Sequence, residues 1–122
     1  MTDAELVRLC AIHVYGEQDA FIGRDPWGDE VVYWGPYRGA FNPLTSDADS
    51  CAVLDKMVAD GFDYTIQQAY RLEGVTVTFQ ENHQSRPDAH YWQLIQVTVC
   101  VPKDRKRAIV LAALKAKGVE IG

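Results

Sequence analysis

The chain has 122 residues, 48 % of them apolar and 24 % charged, with a net charge of −5. That suits one globular domain with a self-sufficient core, and no apolar run approaches the length of a membrane span. Charge is unevenly placed: residues 1–102 carry six Lys and Arg against fifteen Asp and Glu, a balance of −9, whereas residues 103–122 carry +4. An acidic body argues against general nucleic-acid binding, which needs phosphate neutralisation. The acidic start, Met1 to Glu5, lacks an apolar signal core and predicts a cytoplasmic protein. Cys10, Cys51 and Cys100 are odd in number with no CxxC spacing. They read as reduced, mostly buried small side chains, so no disulfide framework, structural zinc or other cofactor is expected.

Thr2 and Glu5 have the spacing of a capping box. Leu6, Leu9, Cys10 and His13 then share one helical face, which predicts a partly buried His13, and Gly16 ends the helix. Residues 17–29 read as loop or weakly extended, with "RDPWGD" (Arg24 to Asp29) as a turn. Glu30 to Trp34 is a short β-branched and aromatic strand.

Thr45 or Ser46 caps a second helix, and Asp47 and Asp49 sit at the positive end of its dipole. Val53, Leu54, Met57 and Val58 form its buried stripe, and Gly61 ends it. Three extended segments follow. Tyr64, Ile66, Tyr70 and Leu72 alternate with polar residues; Glu73-Gly74 is a tight connection; Val75, Val77 and Phe79 face one way. After the polar loop Glu81 to Ala89, a third strand runs from Tyr91 to Val101, with Ile95, Val97, Val99 and Val101 on one face. Pro102 breaks it. Lys103 or Asp104 opens a last helix with Ile109, Val110, Ala113 and Leu114 on its apolar face, closed by Gly118. Lys103, Arg105, Lys106 and Arg107 read as its solvated side. The order α, β, α, β, β, β, α predicts an α+β fold, an α/β sandwich in which a mainly antiparallel sheet is packed by about three helices.

Phe41 to Met57, "FNPLTSDADSCAVLDKM", resembles the segment W-N-P-x-x-D-x-x-D-A that opens the central helix of the phage ABA sandwich domain family, with Phe41 in place of the tryptophan. Arg107 to Lys115, "RAIVLAALK", resembles the terminal helix of that family. The resemblance implies a phage or prophage accessory protein with an α/β sandwich fold. It implies no known activity and carries over no catalytic residue.

The chemistry-bearing residues are sparse. Asn42 precedes Pro43 and should be extended or in a turn, its amide pinning the loop or meeting a ligand. Asp47 and Asp49 fail the spacing of a calcium loop. Glu81, His83, Asp88 and His90 match no metal motif, while Arg86 is placed to grip a carboxylate or phosphate. There is no GxSxG, P-loop or GxGxxG, and Cys51 near a helix N-terminus reads chiefly as a buried side chain. Tyr33, Trp34, Tyr37 and Arg38 have the composition of a binding hot spot, with Trp34 and Phe41 folding inward as the alternative. These residues point first to a non-enzymatic protein that binds a host or phage protein, as a homodimer, through Tyr33, Trp34, Tyr37, Arg38, Asn42 and Arg86. An acidic surface with an aromatic patch suits a basic partner. The alternatives are a nucleotide-binding protein using Tyr37, Arg38 and the terminal Lys/Arg cluster, and a small hydrolase using Cys51 or the His83/His90 loop.

Overall fold

The computed structural model describes residues 1–34, 40–68, 74–83 and 86–120. Three helices, α1 (Asp3–Tyr15), α2 (Asp47–Ala59) and α3 (Arg105–Ala116), combine with five strands: β1 (Phe21–Arg24), β2 (Glu30–Tyr33), β3 (Phe62–Gln68), β4 (Gly74–Glu81) and β5 (Gln96–Pro102). The fold is α+β, and all strand pairing is antiparallel: a β1–β2 hairpin and a β3–β4–β5 meander. Residues 17–29, expected as loop or weakly extended, supply the strand β1, which the expected element order did not count. A four-residue strand carries too little alternation to announce itself, and only pairing with β2, Phe21 opposite Tyr33, defines it.

The helix ends are local chemistry. The Thr2 hydroxyl accepts from the Glu5 amide, and the Glu5 carboxylate accepts from the Thr2 amide. Gly16 adopts φ 74°, and its N–H reaches the Ala11 and Ile12 carbonyls; a side chain there would be strained. Ser46 caps α2 through the Asp49 amide, and Asp104 caps α3 through the Arg107 amide.

β4, the central strand of the meander, alternates strictly, burying Val75, Val77, Phe79 and Glu81. α3 packs on β4 and β5 and also touches α1 and α2, so it runs through the middle of the domain. It buries Ala108, Ile109, Val110, Ala112, Ala113, Leu114 and Ala116. α1 contributes Leu6, Val7, Cys10, Ala11 and Val14, and α2 contributes Val53, Leu54 and Met57. Both helices turn slightly from the expected stripe: His13 and Val58 face solvent. The third long strand is shorter than the sequence suggests. Tyr91–Gln93 is a 3₁₀ turn, and pairing begins only at Gln96, opposite Gln80. Tyr70, Leu72 and Glu73 lie outside the described residues. No helix among the described residues is long and apolar enough to cross a membrane.

Leu114 has no exposed surface and sits where α3 meets its neighbours. Leu114→Ala therefore leaves a cavity and should lower unfolding stability by about 3 kcal/mol, read as an earlier midpoint in a urea titration.

Candidate functional site

The β1–β2 turn is Asp25-Pro26-Trp27-Gly28-Asp29. One oxygen of the Asp25 carboxylate accepts the amides of both Trp27 and Asp29 at 2.9 Å. The Gly28 amide bonds the Asp25 carbonyl, with Gly28 at φ 86°. Arg24 closes the turn from outside, donating to the Gly28 carbonyl at 2.7 Å and lying 3.8 Å from Glu30. A side chain that organises its own turn in this way fixes the backbone without help from the core. Trp27 stands on that turn, 84 % exposed.

Behind the tip, β2 turns Val32 inward and leaves Val31 and Tyr33 on its other face. Tyr33 pairs with Phe21, their ring centroids 5.7 Å apart, and Phe21 is 55 % exposed. Gly23 makes room for this arrangement: a Cβ there would meet the Tyr33 ring at 3.1 Å. The hairpin thus presents Trp27 at its tip and the Phe21–Tyr33 pair at its base.

The other expected binding residues are placed differently. Trp34 is a correction: it is 4 % exposed, stacked on Phe41 at 4.4 Å and meeting Tyr15 edge-on at 4.9 Å. Burying three aromatic rings together outweighs presenting one to solvent. Asn42 is structural in its contacts. Its side-chain oxygen accepts the Leu44 amide at 3.0 Å, and its own amide donates to Asp49 at 2.9 Å. The loop before α2 is thereby tied to the first turn of that helix. Arg86 grips a carboxylate of its own chain: Nε and Nη2 lie 2.8 and 2.6 Å from Glu81 Oε1, and Nη2 also donates to the Gln93 carbonyl. Tyr37 and Arg38 lie outside the described residues.

The candidate metal and nucleophile residues are dispersed. His83 Nε2 is 3.2 Å from the Ala89 carbonyl, and His90 stacks on Trp92 at 4.4 Å. Among the described residues, no group of three or more His, Cys, Asp or Glu is placed to hold a metal. A cleft of about 170 Å³ beside the start of α1 is walled by Asp3, Val7, Val32 and Phe41. A wider groove of about 490 Å³ runs between Phe62, Ile95 and the end of α3. Among the described residues, neither is lined by Ser, Cys or His.

The basic residues of α3 are also largely committed. Lys106 pairs with Asp47 at 2.7 Å, Arg107 with Asp3 at 2.7 Å and with Asp104, and Lys117 with Asp60 at 2.7 Å. Within the cluster expected either as a solvated face or as a phosphate cradle, Lys103 and Arg105 are exposed, while Lys106 and Arg107 join α3 to α2 and α1. Asp60 also accepts from Lys56. Partial burial raises the Asp60 carboxyl, but hydrogen bonds and charge from Lys117 and Lys56 together outweigh it, leaving its pKa below the usual carboxylate value.

In the sequence Trp27 falls inside the turn Arg24 to Asp29, outside the residues expected to bind. The signal was present: a residue at the centre of a Pro-containing, Gly-containing turn has its side chain directed away from the body. No family model, curated protein or solved structure matches the chain.

Two expectations follow from the charge and thiol placement. A carboxyl depressed by folding contributes stability present above its ordinary pKa of 3.8 and lost as pH falls through the lower folded value. Asp60→Asn should therefore cost about 1 kcal/mol at neutral pH and progressively less as pH falls below 3.8, compared by denaturant unfolding across that range. Burial pushes the Cys10 thiol up to about 12, whereas Cys51 and Cys100 are exposed. Iodoacetamide on the native protein should label Cys51 and Cys100, with Cys10 reacting only after unfolding, as mapped by peptide mass spectrometry.

Proposed function

We propose that this chain is a non-enzymatic phage or prophage accessory protein that binds a host or phage protein in the host cytoplasm. The β1–β2 hairpin is its contact surface. The observation that carries the reading is Trp27, 84 % exposed on a turn fixed by the Asp25 carboxylate. An exposed indole on an ordered turn contributes large contact area, with the backbone beneath it already fixed before binding. Phe21 and Tyr33 extend the apolar area along the hairpin. The resemblance of Phe41 to Met57 and Arg107 to Lys115 to the phage sandwich family supports the phage origin. A homodimer would present the hairpin twice and add avidity without a new contact.

The test compares affinity-tagged wild type and Trp27→Ala in lysate from bacteria with and without phage infection. The expected outcome is a partner retained by wild type and at least ~10-fold depleted on the variant, with unchanged melting temperature. Equal retention by both proteins removes the hairpin as the contact surface. Native mass spectrometry of the same preparations reads the subunit number, and a bare monomer removes the dimer.

A further inference from the structure

The charge around the hairpin narrows the chemistry of what docks on it. From Glu17 to Glu30 there are five Asp and Glu against one basic residue, Arg24. Arg24 is folded back onto the Gly28 carbonyl and Glu30. Asp25 and Asp29 lie in the turn itself and Glu30 directly follows it, so the tip that carries the indole holds three carboxylates against the Arg24 guanidinium. The face of an indole attracts cations through its quadrupole, and neighbouring carboxylates attract the same charge. A guanidinium satisfies both, with a flat face to stack and an N–H fork to offer a carboxylate; an ammonium supplies only the charge.

Trp92 provides the contrast. It is also 80 % exposed, but its ring is stacked within 4° of the His90 ring. The charges holding its loop, Glu81 and Arg86, are paired with each other. Among the described residues, the Trp92 loop carries Asp88 and the paired Glu81 and Arg86, whereas the Trp27 turn carries Asp25, Asp29 and Glu30 against Arg24.

We infer, resting on the hairpin as the contact surface, that its tip docks an arginine-bearing cationic segment of a polypeptide partner. One guanidinium stacks on Trp27, and its N–H groups turn to the carboxylates of the turn. Lysine in the same segment binds through charge alone and more weakly.

Calorimetric titration tests this with three short synthetic peptides of one length, in which glycine alternates with arginine, lysine or the neutral isostere citrulline. The arginine peptide should bind wild type ~3-fold more tightly than the lysine peptide, and the citrulline peptide should not bind. Trp27→Ala should weaken the arginine peptide ~10-fold, Trp27→Phe should recover most of that loss, and Trp92→Ala should change nothing. Equal binding of the arginine peptide by wild type and Trp27→Ala overturns the inference, as does an equal loss in Trp92→Ala. If the peptides do not discriminate but a captured partner is still lost from Trp27→Ala, the arginine assignment falls alone and the hairpin stands as the contact surface.

Discussion

Burial of α3 on nearly every side is the constraint on which the rest of the domain depends. A helix satisfies its own backbone hydrogen bonds, so it is the element that can run through a core at least polar cost. Ala108, Ala112, Ala113 and Ala116 keep it thin, which lets α1, α2 and the meander all approach it. Ile109, Val110 and Leu114 then fill the space between those layers. The meander is curtained on one face by this helix and leaves the other to Thr65, Thr78 and Thr98, the last two joined hydroxyl to hydroxyl.

The segregation of charge along the chain follows from the same arrangement. A central helix emerges from its neighbours only at its ends and one edge, and the cations of α3 lie there. Asp3 begins α1, Asp47 begins α2 and Asp60 caps its end; each receives a cation of α3. Exposed pairs of this kind add little stability one by one. Their larger effect is on register, since sliding or reversing α3 would set its cations against no carboxylate. Three of the six cations of residues 103–122 are thus paired with carboxylates elsewhere in the molecule.

Features set by neighbours in sequence were legible, and those set by distant contacts were not. The capping box of Thr2 and Glu5, the Ser46 and Asp104 caps and the alternation of β4 each depend on a few adjacent residues. β1 depends on a partner strand, and the outward turn of Cys51 and Cys100 depends on which face each element buries. Within the candidate site, the sequence grouped Tyr33, Trp34, Tyr37 and Arg38 because they are neighbours in the chain. Strand alternation and the rings of Tyr15 and Phe41 separate Tyr33 from Trp34, and only tertiary packing could decide that. Arg86 and Asn42 were expected to meet a partner or ligand; within the chain, Arg86 grips Glu81 and the backbone amide of Asn42 donates to Asp49.

Two tryptophans seven positions apart therefore meet opposite fates for identifiable reasons. Trp34 follows β2 where the strand runs back toward α1, and the aromatic ring of Tyr15 waits there. Trp27 sits where Pro26 and Gly28 force the chain to reverse, beyond the reach of any buried layer. Hydrophobicity alone would draw both inward, yet the Asp25 carboxylate spends its hydrogen bonds holding the turn that keeps Trp27 out. No core contact needs that turn to be rigid. A charged side chain committed to ordering an exposed aromatic tip makes sense as preorganisation, which removes the entropy loss a partner would otherwise have to offset.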